Sequence, residues 1–151
     1  MAATPQRSGG AHAAALRVLA LMVGLFLVFN GLDKLAWFGD SGILSARLDG
    51  WARAGSPSTR WYIETVAVPG VPLFARLVPL AELSAGVALI LGFWTRMAAL
   101  LALLMVVNFH FARGLFYDVG FLTEGVGFPV LGALVALAIG ASKLPFSLSR
   151  Q

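Results

Sequence analysis

The stretch "PLAELSAGVALILGFWTRMAALLALLMVV", residues 79–107, holds two apolar runs joined by "GFWTR". Gly92 is placed to end one helix and Thr95 to cap the next. A joint this short obliges the two helices to form an antiparallel hairpin. Followed outward, the first run covers residues 73–93 and the core of the second covers 97–111. Runs of this length and apolarity match the thickness of a bilayer, for which about 20 residues of helix are needed.

Upstream, residues 13–32 carry only Arg17 and Asn30 as strongly polar groups, and they read as a further span. A cleaved signal peptide is the competing reading, but no small-residue cleavage site follows; the run ends instead in "NGLDKLAWF". Downstream, residues 126–141, extended at their start, give the fourth span. Gly132, Ala136 and Gly140 stand four apart on it, and Ala81, Ala85, Ala88 and Gly92 form a similar stripe on the second. Small residues at this spacing let helix backbones approach closely in lipid. Gly24, Gly31 and Gly86 read as packing glycines rather than parts of a nucleotide fingerprint.

The bulk composition agrees. The 151 residues are 59% hydrophobic and 12% charged, with mean hydropathy +0.85; soluble domains carry about a quarter charged residues. The expected fold is therefore all-α: an integral membrane four-helix bundle over residues 13–145, between a polar tail at 1–12 and a short tail at 146–151. The long first loop, from Lys34 to Pro72, should hold interfacial helices. In "SGILSARLDGWARAG", Ser41 is a candidate cap. Ile43, Leu44, Leu48 and Trp51 share one side, with Arg47, Asp49 and Arg53 opposite. In "SPSTRWYIETV", Ser56 caps, Pro57 takes the first turn, and Trp61 and Tyr62 suit the headgroup region.

The net charge of +4 speaks to orientation and anionic headgroups. No basic stripe with interleaved aromatics suggests nucleic acid. Six basic residues (Lys34, Arg47, Arg53, Arg60, Arg76 and Arg113) fall on the long-loop side, against five on the other. With basic groups inside the bundle discounted, the reading adopted is a multi-pass inner-membrane protein with both termini cytoplasmic. The absence of cysteine excludes disulfides, thiol redox chemistry, iron–sulfur ligation and haem attachment through CxxCH. No metal-ligand spacing connects His110, Glu82 and Glu124, and a bis-His haem would need His12 in the tail.

Polar residues inside spans are costly, so each needs a reason. Counted from the N-terminal side at about 1.5 Å per residue, Arg17 falls at roughly 6 Å, Glu82 at about 16, Asn108 at about 18, His110 at about 21, and Asn30 and Arg76 at about 25. Asp33 and Lys34 reach about 30 Å, at the far interface, with Arg113 bordering the same layer. Two accounts fit this layer. In the structural one, Arg76 or Arg17 neutralises Glu82, Asp33 pairs with Lys34 or Arg113, and Asn108 ties helices together. In the functional one, His110 and Glu82 move protons beside a ligand held by Asn30, Lys34, Arg76, Asn108 and Arg113. Arg17, Asp33 and Glu124 are then structural partners.

"LRVLALMVGLFLVFNGLDKLAWFG" followed by the hairpin resembles the DoxX family of four-span membrane proteins. The resemblance is carried by Arg17, by Gly31 with Lys34, and by Glu82, Gly86, Gly92, Thr95 and Arg96, with Glu124 as the acid before the fourth helix. The ending "GASKLPFSLS" departs from the family's close, with Ser142 at a glycine position and Ser149 at an aspartate position. The long first loop with Pro57 and "RWY" is similar to the DoxD branch, the membrane subunit of thiosulfate:quinone oxidoreductase. The resemblance implies a quinone as cofactor and a redox complex as setting. A partner subunit or domain would supply the metal or thiol centre that this chain lacks, and an oligomer of this chain is a separate expectation. The alternative it leaves open is a non-catalytic membrane scaffold or assembly factor.

Overall fold

The computed structural model describes residues 8–123, 125–141 and 144–148. Every regular element among them is helical. Helix α1, Ser8–Asp33, contains the expected first span but starts within the stretch read as a tail. The small residues "SGGAHAAA" carry no helix breaker beyond glycine, and the helix runs back through them. Helices α4, Val71–Leu91, and α5, Thr95–Ala112, form the expected hairpin. All three are long and apolar enough to cross a membrane.

The hairpin turn closes through Gly92, whose φ of +68° needs a residue without a Cβ penalty. The N–H of Phe93 reaches the carbonyl of Ala88 at 2.8 Å, giving the last turn of α4 a partner. Thr95 is not the cap of α5. Trp94 takes that place in a left-handed conformation, with no side-chain capping bond, and Thr95 is buried as the first helical residue.

The fourth apolar helix is shorter than expected. Helix α7 covers Phe128–Gly140, 13 residues, or about 20 Å of rise. The segment before it does not lengthen the span. After a 3₁₀ turn at Leu115–Tyr117 and a single-turn helix α6, Gly120–Thr123, the sequence "GVGFP" breaks the helix until Pro129 can sit in the first turn of α7.

Helices α1, α4, α5 and α7 share one core, in which Ala20, Leu27, Leu89, Ala99, Ala102, Leu134 and Leu137 are almost fully buried. The outward faces are equally apolar: Met22, Phe29, Leu73, Leu101 and Ile139 are all more than 60% exposed. A surface of that kind suits lipid and not water. Helices α1 and α4 approach most closely. A Cβ on Gly86 would stand 2.7 Å from the carbonyl oxygen of Gly24, so only glycine allows this backbone contact.

The long loop folds over the end of the bundle. After a 3₁₀ turn at Leu35–Phe38 come α2, Gly42–Ala54, and α3, Pro57–Tyr62, which runs into a π-helical turn at Ile63–Ala67. Leu44 and Leu48 of α2 are buried with Trp37, Ile63, Ala67, Val71 and Ala75 in a second core. The apolar side of α2 therefore packs on protein. Ser56 caps α3 as expected, accepting from the Thr59 N–H. Ser41 does not cap α2 with its side chain; Asp40 accepts from the Gly42 N–H instead.

Candidate functional site

The last turn of α1, the middle of α4 and the C-terminal end of α5 meet beneath α2. At their centre Lys34 Nζ donates to Glu82 Oε1 at 2.9 Å and Oε2 at 2.8 Å. A third bond, 2.9 Å to the carbonyl of Asn30, uses the last ammonium N–H. Both side chains are buried. Lys34 Nζ also stands 5.7 Å from the ring centre of Phe109 and 6.0 Å from that of Trp37.

Beside this pair is a cavity of about 480 Å³. Its walls include Asn30, Asp33 and Lys34 from α1 and its end, Glu82 from α4, and Val106, Phe109, His110 and Arg113 from α5 and its end. Helix α2 contributes Arg47 and Trp51 as a cover, while Phe26, Leu27 and Val126 complete the apolar part. The rings of Trp51 and Phe109 meet edge to face, with centres 6.4 Å apart.

Six of the residues singled out from sequence therefore converge: Asn30, Asp33, Lys34, Glu82, His110 and Arg113. Three do not join them. Arg76 is exposed and donates to the Pro72 carbonyl of its own helix. Asn108 is also exposed and accepts from the Tyr62 hydroxyl, tying α3 to α5 as glue. Arg17 lies at the other end of the bundle, where its guanidinium donates to the carbonyls of Leu89 and Ile90. It closes the C-terminus of α4 rather than reaching Glu82, and a cation is favoured there by the helix dipole. Arg96 does the same for α7 at the Ala138 carbonyl. Glu124 lies outside the described residues, as do Ser142 and Ser149.

The pairings differ from those expected. Glu82 takes Lys34 rather than Arg76 or Arg17. Asp33 takes Arg47 at 3.7 Å, a loose and exposed contact. Arg47, read from sequence as part of the solvent side of α2, leans over the Trp37 ring at 5.3 Å and lines the cavity. Its spacing three residues from Leu44 and four from Trp51 was the available signal.

His110 is buried, and each ring nitrogen faces a backbone oxygen: Nδ1 that of Val106 at 2.6 Å, Nε2 that of Val126 at 2.9 Å. Both hydrogen bonds form at once only when both nitrogens carry protons; a neutral ring donates one. Phe116 and Phe121 pack against the imidazole, with centres 5.9 and 5.7 Å away. His110 thus fastens the segment before α7 to the end of α5. The Arg113 guanidinium makes no hydrogen bond or ion pair among the described residues, which leaves it and the second amide N–H of Asn30 as donors for a guest. No group of three or more acidic, histidine or cysteine residues capable of holding a metal is found among the described residues.

The DoxX family model matches residues 14–114, from α1 to the end of α5. The match ends before α7 and the closing segment. No curated protein and no solved structure matches the chain.

Proposed function

This chain belongs to the DoxX family, and on that footing we propose that it is the quinone-binding membrane subunit of a redox complex in the inner membrane, with both termini cytoplasmic. The observation that carries the reading is the cavity of about 480 Å³ beside a buried Lys34–Glu82 pair. Its size lies within the range of ligand pockets, about 300–1,000 Å³.

The residues suit a quinone headgroup. Such a ring offers two carbonyl oxygens that accept hydrogen bonds, and flat faces that pack on aromatics. Arg113 and Asn30 supply the donors, and Phe26, Trp51 and Phe109 supply the apolar walls. When bound, a quinone accepts two electrons and two protons, the electrons coming from a metal or thiol centre in a partner subunit. The Lys34 ammonium, held by the Glu82 carboxylate, would give one of the two protons, and the other would come from solvent.

A photoreactive quinone analogue in native membranes tests the reading. Label on peptides containing residues 26–34 and 106–113 is expected. Label spread evenly over lipid-facing residues such as Leu73, Leu101 and Ile139 would contradict it.

One observation favours a second reading, in which the chain is a scaffold or assembly factor for a partner protein. Lys34 has spent all three N–H groups and His110 has both nitrogens engaged. Among the described residues no buried polar side-chain atom lacks a partner. A cluster so fully satisfied can serve helix packing alone. Loss of the Arg113 guanidinium, which lines the cavity without tying any helix among the described residues, separates the two readings: Arg113→Ala releases bound quinone in the first and leaves partner assembly unchanged in the second.

A further inference from the structure

The connector between α5 and α7, residues 113–127, gives Arg113 and Val126 to the wall of the polar cavity and is thinly held. It contains Gly114, Gly120, Gly125 and Gly127, and Val119 and Leu122 on it are 74% and 64% exposed. Among the described residues, the hydrogen bonds of 115–126 stay within that stretch, apart from the contact of 2.9 Å between the Val126 carbonyl and His110 Nε2. Apolar contact adds to it: Phe116 and Phe121 lie against the imidazole and against each other, with their own centres 4.9 Å apart.

The charge on the imidazole decides whether this contact attracts. An imidazolium satisfies both the Val106 and the Val126 carbonyls, whereas a ring with one proton donates to one and turns a lone pair on the other. The Val106 oxygen, at 2.6 Å, is fixed one turn back in the same helix. The oxygen that can withdraw is therefore that of Val126.

Charged groups share the cavity with the ring. Asp33 and Lys34 come from α1 and its end, Glu82 from α4, Arg47 from α2, and Arg113 stands three residues further along the ring's own chain. Lys34 is paired with Glu82 and Asp33 with Arg47, which leaves Arg113 unpaired among the described residues. From the connector, Asp118 turns its carboxylate onto the Gly120 N–H. The Tyr117 side chain and Glu124 lie outside the described residues. Each state of the ring thus carries a cost: a charge sharing the cavity with Arg113 in one, a lone pair against a carbonyl in the other.

We propose that His110 is a proton-operated latch on the cavity wall. As an imidazolium it holds the Val126 carbonyl and keeps the connector in place; on losing a proton it lets the connector go. Imidazole is the side chain that ordinarily changes charge between about pH 5 and 8. Because His110 and Val126 share the cavity wall, release withdraws Val126 from it. The latch does not depend on which ligand the cavity takes.

The chain contains no cysteine and two histidines, so both halves of the latch can be followed in the full protein in nanodiscs. Val119→Cys carries a single nitroxide on the connector, whose motion reports release. Nitrogen NMR signals of the His110 ring, told from those of His12 by His12→Gln, report its charge. From about pH 5 to about 8 the ratio of released to held connector should rise about fivefold, the factor that one net hydrogen bond supplies. It should rise in step with loss of the ring proton. In His110→Gln, which donates at every pH, the label's motion should not respond to pH. Leu122→Cys takes the label if Val119→Cys does not fold. A label whose motion ignores the state of the ring would overturn the latch, as would a ring that keeps one charge across the whole range. A pH response that survives in His110→Gln would overturn it too, by placing the titrating group elsewhere.

Discussion

Lys34 and Glu82, 48 residues apart in sequence, form a buried ion pair in which both carboxylate oxygens accept from one ammonium group. The pair joins the end of α1 to the middle of α4. It lines the cavity and is also a buried polar tie between these two helices. The glycine contact explains why the two residues meet. Gly24 lies against Gly86, and Gly31 lies against Leu83. That register carries the last turn of α1 past Leu83 and sets Lys34 beside Glu82.

Removing one member should cost far more than removing both. Lys34→Met or Glu82→Met alone leaves a buried charge without its partner, and should destabilise the protein by about 3–5 kcal/mol. The double variant should recover most of that loss. Thermal unfolding of the three variants in one detergent measures the coupling, and additive losses would show that the pair contributes little.

Gly86→Ala should destabilise the α1–α4 contact by about 1–3 kcal/mol, because the new methyl meets backbone that has no room to yield. Gly132→Ala is the control, since a Cβ there meets nothing within 4 Å. Its stability should be unchanged or raised by about 0.5–1 kcal/mol, the advantage of alanine over glycine inside a helix.

Arg17→Gln should cost about 1.5–3 kcal/mol through its charge-assisted bonds to the end of α4, and Arg17→Lys should restore part of it. Amide exchange should quicken in "GFWTR". Quinone binding should not change, because Arg17 is at the opposite end of the bundle from the cavity.

His110→Phe removes the ring-nitrogen contacts with the Val106 and Val126 carbonyls and should loosen the segment between α5 and α7, at a cost of about 1–3 kcal/mol. Limited proteolysis between residues 114 and 128 reads this directly. His110→Gln, which still donates, should restore protection at least in part. Equal protection in all three proteins would mean that the aromatic contacts of Phe116 and Phe121 alone hold the segment.

Much of the architecture was legible because lipid-facing helices announce themselves by continuous apolarity. Residues 73–93 and 97–111 differ from α4 and α5 by two residues or fewer at each end. The fourth span was overextended, since the stretch around Gly125 and Gly127 is apolar enough to pass for helix yet is built of breakers. The polar layer was legible as a set but not as pairs. Counting depth from the side that holds the N-terminus assumes that the helix ends lie level there, and it set Lys34 apart from Glu82. The offset between α1 and α4 depends on Gly24 meeting Gly86, which a count along one chain cannot reveal. Arg47 was missed for a related reason. A helix placed at the interface has a solvent side, whereas α2 packed on the bundle end turns part of that side over the cavity.

The most direct measurement is native mass spectrometry of the protein extracted from its own membranes in mild detergent, for the wild type and the Lys34→Met/Glu82→Met double variant. The wild type should carry a quinone at one per chain, and the folded double variant should carry none. A wild type bearing only phospholipid, or a double variant that keeps the same quinone, would contradict the assignment of the cavity beside Lys34 and Glu82 as a quinone site.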